Sequence, residues 1–379
     1  MISISYDAEI FALQKYGGVS RYFSSLIEEF RVNRDHQVTA SLTFSRSDNL
    51  YLSELVDKRV LKMKPKILPY IRPTSPKRAL ATFGPIRELG LTLSSEVKFS
   101  GRSSDIFHAT YYRPTILERR KGKKLAITIH DFIPERLGWT GYRNPHIGKK
   151  RLASQADLIF CVSKSTATDL SEFYGINDER VKVVGHGVKE FARPDEKLSM
   201  AASRSILFLG HRNGYKNFST LVEAVRILKN EINDLTLKIA GPSMKNEEKT
   251  ELAKALSGVR IEHHEDVSDS KLRDLYLNSR IFCMTSKMEG FGIPILESLA
   301  VGTEVVAADI PVFREVGGKE VKFFDPSSAE DLANVLAQNL DSEITSSQII
   351  KRITYAKAFS WSAVASQVAH HYRELLCQQ

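Results

Sequence analysis

The chain is poor in cysteine: three in 379 residues, at positions 161, 283 and 377. There is no Cys-x-x-Cys pair, which excludes a thiolate zinc ribbon and a dithiol redox centre and favours a reducing compartment. Cys161 and Cys283 lie inside apolar runs and read as small core residues. No apolar stretch nears the roughly 20 residues that span a bilayer. The N-terminus Met-Ile-Ser-Ile-Ser-Tyr-Asp has neither a basic start nor a cleavable apolar segment, so it does not read as a signal peptide. Gly-x-Gly-x-x-Gly, Gly-Lys-Ser/Thr and Asp-x-Asp are all missing, which disfavours a nicotinamide-dependent oxidoreductase, a P-loop enzyme and an Asp-pair metal site. The His263-His264-Glu265-Asp266 run is assigned no metal, because adjacent strand residues point to opposite faces.

What is present is an ordinary globular composition, 42% hydrophobic and 26% charged, long enough for two or three domains. Net charge is +9 but uneven. Residues 1–190 hold 31 Lys and Arg against 20 Asp and Glu, and the remainder 23 against 25. A basic first half implies an anionic partner there: nucleic acid, an anionic membrane surface or a phosphorylated substrate.

Short buried-strand runs alternate with helical periodicity through both halves, the pattern of parallel sheets wound by helices. Strands are expected at Ile2–Tyr6, Asp105–His108, Leu125–Ile129 and Leu158–Val162. A second set follows at Ser205–Leu209, Leu235–Ala240, Ile281–Met284, Val305–Ala308 and Val321–Phe324. Asn217 and Ser268 are candidate helix caps, Pro294 suits a first helical turn, and Gly302 a stop. The fold class is therefore α/β with two Rossmann-like doubly wound domains, 1–190 and 200–359, hinged near 186–204. Residues 58–78, basic and interleaved with apolar residues and prolines, fit either a solvated loop or a membrane- or acceptor-facing patch.

The densest chemistry is Glu289-Gly290-Phe291-Gly292-Ile293-Pro294-Ile295-Leu296-Glu297. Two carboxylates flank a glycine turn that opens a helix. The helix start suits a diphosphate, and the carboxylates suit sugar hydroxyls, hexose at Glu289 and ribose at Glu297. An amphipathic-helix Glu beside ordinary turn glycines fits the same spacing. Arg212 and Lys216 follow a strand end, where open α/β sheets bind ligands, and could neutralise a leaving diphosphate. Solvated loop cations read the same way. Gly17-Gly18 opens a helix after the first strand. His130-Asp131 follows another strand and could bond a reacting sugar or phosphate. His130, like His108 with Tyr111-Tyr112, also fits a purely structural role.

Taken together, YGGVSRYF (16–23), DIFHATYYRP (105–114), HDFIPE (130–135), VVGHGV (183–188), LGHRNGYKNF (209–218), TSKMEGFGIPILESLAVGTEVVAADIPVFREVGG (285–318) and AFSWSAVASQVAHHYRELL (358–376) resemble a family-4-type retaining glycosyltransferase of GT-B fold. The resemblance is to the bacterial O-antigen and exopolysaccharide, mannosyltransferase-like subgroup. It implies two domains facing across a cleft, with a C-terminal helix, 360–379, crossing back to complete the acceptor-side first domain. It implies Glu289 on the donor sugar, the backbone of Gly290, Phe291, Gly292 and Ile293 near sugar and diphosphate, and Glu297 on the ribose. Arg212 and Lys216 would clamp the diphosphate, with Gly17 and Gly18 bringing main chain to it. His130 would sit beside the sugar, and the base near Gly241 and Val267. Catalytic roles thus fall to His130, Glu289, Arg212 and Lys216.

The implied activity is metal-independent hexosyl transfer with retention, needing no cofactor. The donor is a nucleotide sugar, GDP-mannose or a related GDP-hexose before a UDP-sugar. The acceptor is a surface polysaccharide linked to polyprenyl diphosphate, met in the cytoplasm at the inner membrane face, with no nucleic-acid partner. Glu304, where the family usually has Pro, and Lys287-Met288, where an aromatic is common, depart from the pattern; the first is expected to leave chemistry untouched. The rival classes are a GT-B-like nucleotide-sugar epimerase or phosphorylase, an oxidoreductase, and a nucleic-acid-binding protein using the basic half.

Overall fold

A computed structural model of the chain describes residues 1–42, 49–55, 104–113, 116–120, 123–140, 144, 146–188 and 204–377. The basic stretch 58–78 and most of the expected hinge 186–204 lie outside the described residues.

Two all-parallel six-stranded sheets form the frame. The first contains β1 (Ile2–Tyr6), β2 (Val38–Leu42), β3 (Ile106–Ala109), β4 (Lys124–Ile129), β5 (Leu158–Cys161) and β6 (Val181–Val183), in the order β2-β1-β3-β4-β5-β6. The second contains β7 (Ser205–Leu209), β8 (Thr236–Ala240), β9 (Arg260–His264), β10 (Ile281–Met284), β11 (Glu304–Ala308) and β12 (Val321–Phe324), in the order β12-β11-β10-β7-β8-β9. Every pairing is parallel, as in Ile4↔Ile106 and Ile281↔Ile206. The central strands are apolar on both faces because helices cover both. In β4, Leu125, Ile127 and Ile129 enter one apolar cluster with Phe132 and Leu152, while Ala126 joins a second cluster on the other face.

That second face receives the helix Gly18–Val32 and the C-terminal helix Trp361–Cys377. Small and polar residues there make room for a buried polar seam. Tyr372 Oη lies 3.0 Å from Tyr6 Oη and 2.5 Å from His108 Nδ1, and His108 Nε2 lies 2.9 Å from Thr128 Oγ1. The C-terminal helix thus docks on the first sheet although it follows the second in sequence. Trp361 packs directly over Gly187, where a Cβ would come within 2.4 Å of the indole.

β2 and β6 go beyond the expected strands, and β9 places His263-His264, read as strand residues, in a full strand. Each is an edge or near-edge strand with mixed polarity, as in Arg260-Ile261-Glu262-His263-His264, so its apolar signal is weak. Asn217 precedes the helix Phe218–Leu228 but does not cap it through its side chain. It adopts φ +56°, donates to Pro326 O at 3.0 Å and accepts from Thr220 Oγ1. Ser268 does cap, accepting from Lys271 N at 3.3 Å.

Glu304 is more than a strand start. It is buried between two guanidiniums, 2.7 Å from Arg280 and 3.3 Å from Arg352, and so ties β10 and β11 to the helix Ser346–Lys357. Arg280 also donates to Ser342 O at 2.7 Å. Glu304→Ala strands two buried cations and should cost about 3–5 kcal/mol, as a lowered urea midpoint; an unchanged midpoint would show that the triad carries no stability.

Candidate active site

The candidate residues converge where the C-terminal ends of the two sheets face one another, the position at which open α/β sheets take ligands. Positive φ at Gly292 (+105°) turns the chain from Phe291 into the helix Ile293–Ala300, with Pro294 in its first turn. Gly290 is the closest approach. A Cβ there would stand 1.7 Å from the carbonyl oxygen of His130, so only glycine lets this turn rest on the loop after β4. The carbonyl of Gly290 accepts from Ser163 Oγ at 2.7 Å and Thr166 Oγ1 at 3.1 Å. Both belong to the start of the helix Lys164–Tyr174, whose first N–H groups, on Lys164 and Ser165, donate to Glu315 of the second sheet's domain. A carboxylate at a helix N-terminus is favourably placed.

Lys216 and Glu289 meet at 2.5 Å in a largely buried pair. Burial pulls the Lys216 ammonium down, but Glu289 and Tyr215 outweigh it and hold it above its ordinary range. Thr285 Oγ1 donates to Lys216 O at 2.7 Å and Lys287 N to Tyr215 O at 2.8 Å, fixing the 214–216 turn against the strand β10 that delivers Glu289. Gly18 faces Ile293 across the cleft, 3.6 Å from its own Cβ position to Ile293 Cδ1. Gly17 precedes it at the helix N-cap. Phe291 is buried against His186, ring centroids 5.7 Å apart.

Arg212 is not gathered into this group. Its guanidinium donates to Glu248 at 2.6 Å, Pro242 O at 2.7 Å and Ser243 O at 3.0 Å, lying against the turn that holds Gly241. Gly241 itself is closed over Gly210 O, 2.3 Å from its Cβ position. Val267, half-buried, follows β9 on the same side. His263 Nε2 sits 3.1 Å from Pro242 O, and His264 lies 3.8 Å from Glu262.

Two features escaped the sequence. Glu297 is buried and already occupied: Arg21, from the helix Gly18–Val32, pairs with one oxygen, and Tyr276 Oη donates to the other at 3.1 Å. The YGGVSRYF segment contains Arg21, but nothing local marks its partner 276 residues away. Lys149 is the second. Fully buried, it donates to Asp131 O at 2.7 Å, Glu135 at 3.0 Å and His146 Nδ1 at 3.0 Å, and its ammonium lies 4.0 Å from the Phe132 ring centroid. It braces the loop that presents His130. Burial lowers its affinity for a proton below the ordinary lysine value.

The models for Glycosyltransferase Family 4 and Glycosyl transferases group 1 match residues 16–190 and 193–355. Together they account for most of the chain, which belongs to the family-4-type GT-B glycosyltransferases. Among its relatives is the serotype-specific mannosyltransferase WbdA of Escherichia coli, 26% identical over 290 residues, 71% of this chain and 36% of that protein. Another is the MMP alpha-(1->4)-mannosyltransferase of Mycolicibacterium hassiacum, 28% identical over 237 residues, 61% of this chain and 57% of that one. The chain thus spans about a third of the length of WbdA and over half of the second relative. Sucrose-phosphate synthase of Thermosynechococcus elongatus (TM-score 0.71, 16% identity, full coverage of both chains) shares the fold. So does Anabaena HepE, solved with UDP and glucose (TM-score 0.68, 17% identity, 99% of this chain and 100% of that one).

His130 and His186 each leave a buried Nε2 without a hydrogen bond, and the Nδ1 of His186 donates to Gly187 O at 3.0 Å. Burial holds His108 down to about 3, His186 to about 4, and His130 well below its ordinary value. All three are neutral when folded but take a proton near pH 6.5 when unfolded. Their contribution is therefore full above pH 6.5 and lost as pH falls towards 4, at up to about 1.4 kcal/mol per pH unit for each ring. The urea midpoint should drop across that window, and His186→Asn should flatten the slope. An equal slope in the variant would show that His186 titrates normally.

Proposed function

We propose that the chain transfers a hexose from a nucleotide-diphosphate sugar to a glycan acceptor, with retention of anomeric configuration and without a metal ion. The observation that carries this reading is the pairing of Lys216 with Glu289 at 2.5 Å beside a turn seated on His130. A cation for the leaving diphosphate and a carboxylate for the sugar hydroxyls stand at one point, both largely buried. Breaking the sugar–phosphate bond builds negative charge on the diphosphate. Lys216, Arg212 swung from Glu248, main-chain N–H groups at Gly17-Gly18 and the start of the helix Ile293–Ala300 would stabilise it. Each well-placed donor is typically worth roughly 3 kcal/mol. Glu289 and His130 would hold the sugar, Glu297 the ribose, and the turns at Gly241 and Val267 the base. With no nucleophile assigned at the anomeric carbon, attack by the acceptor hydroxyl on the leaving-group face accounts for retention.

Two mannosyltransferases among the relatives favour GDP-mannose or a related GDP-hexose, with a UDP-sugar as the alternative. The basic first half supports an acceptor linked to polyprenyl diphosphate, met peripherally at the inner membrane face. Among the described residues no helix is long and apolar enough to cross a membrane.

A thermal-shift panel of GDP, UDP, ADP and dTDP with their sugars should show one base stabilising the fold, since a ligand of the native state raises its apparent stability. Glu289→Ala and Lys216→Ala should each abolish transfer while circular dichroism stays native; wild-type rates in either variant would remove this assignment. Flotation should recover more protein on anionic than on neutral vesicles, and equal recovery would refute the membrane contact.

A further inference from the structure

Arg21 is the fourth residue of the helix Gly18–Val32, yet the ion pairs of its guanidinium lie on the other domain. It pairs with Glu297 and stands 3.8 Å from Asp269, with its side chain only 15% exposed. Burial works against its charge, but Glu297 and Asp269 outweigh that and hold it firmly protonated. The carboxylate it occupies is the one assigned above to the ribose, and the other oxygen of that carboxylate already accepts from Tyr276. Charges at and beside the cleft are thus paired within the protein. Lys216 lies on Glu289, Arg212 on Glu248 and Arg21 on Glu297.

Resting on the nucleotide-sugar reading, we infer that Arg21 is a further donor-binding residue, paired with Glu297 within the protein and transferred to the donor's diphosphate on binding. A ribose hydroxyl is too weak a partner to displace a desolvated guanidinium from a carboxylate, and leaving either charge alone in this buried site is strongly unfavourable. A ligand that brings its own anion removes the obstacle. Arg21 exchanges a carboxylate for phosphate oxygens, which its planar fork of N–H donors fits equally well. Glu297 then exchanges a guanidinium for neutral hydroxyl donors beside Tyr276, so its hydrogen bonds stay satisfied while its former counter-ion pairs with the phosphate. The site of the exchange is local: the helix that carries Arg21 begins at Gly18, against Ile293 at the start of the helix that carries Glu297. Ribose recognition is thereby conditional on phosphate, which would discriminate against free nucleosides.

The experiment is titration calorimetry on the full chain with the nucleoside diphosphate that binds the wild type, its nucleoside, and inorganic pyrophosphate. In wild type, saturating pyrophosphate should tighten the nucleoside at least tenfold, because it draws Arg21 from Glu297. Arg21→Met should bind the diphosphate at least tenfold more weakly, bind the nucleoside as tightly as wild type or tighter, and lose the pyrophosphate coupling. Arg21→Lys, which keeps the charge but not the fork, should fall between. Independent or competitive binding of nucleoside and pyrophosphate overturns the inference without any variant, and so does wild-type diphosphate affinity in Arg21→Met. A wild type that binds no nucleoside diphosphate refutes the functional reading and this inference together; one that binds it uncoupled refutes this inference alone.

Discussion

The cleft depends on one close approach. The turn that carries Glu289 and Phe291 rests its Gly290 on the carbonyl of His130, a contact no side chain would permit. Ser163 and Thr166 hold the Gly290 carbonyl from the opposite domain, and Glu315 caps the same helix start. Carbonyls and N–H groups that end strands and begin helices are left unpaired by the regular structure. Here each domain supplies hydrogen-bond partners to the other.

Electrostatics follows from that geometry. Cations brought to a low-dielectric cleft cannot remain unpaired. Among the described residues, Lys216 and Arg21 face this one, and each is neutralised by a carboxylate, Lys216 by Glu289 at 2.5 Å and Arg21 by Glu297. On the proposed reading, an anionic ligand enters by partner exchange. The proposed diphosphate chemistry asks for charge fixed in advance of the reaction, and internal pairs hold that charge in place. The network of Lys149, Glu135 and His146 does related work behind the loop of His130. The triad of Arg280, Glu304 and Arg352 does it behind the second sheet.

The sequence by itself determined the two α/β sheets, most of their strands and the cluster from Glu289 to Glu297. Those signals are local: apolar runs bounded by glycine, a proline one residue into a helix, two carboxylates about two turns apart. Edge strands such as β2 were illegible because half-exposed residues carry little periodicity. Tertiary structure alone decided which charges meet. Arg21 and Glu297 are separated by 276 residues, Lys149 and Asp131 lie in different elements, and Arg212 turned to Glu248 rather than towards Lys216. The reason is physical. Hydrophobic burial is written residue by residue with the period of its element, whereas a buried ion's partner is chosen by how two domains pack, and no short window of sequence contains both.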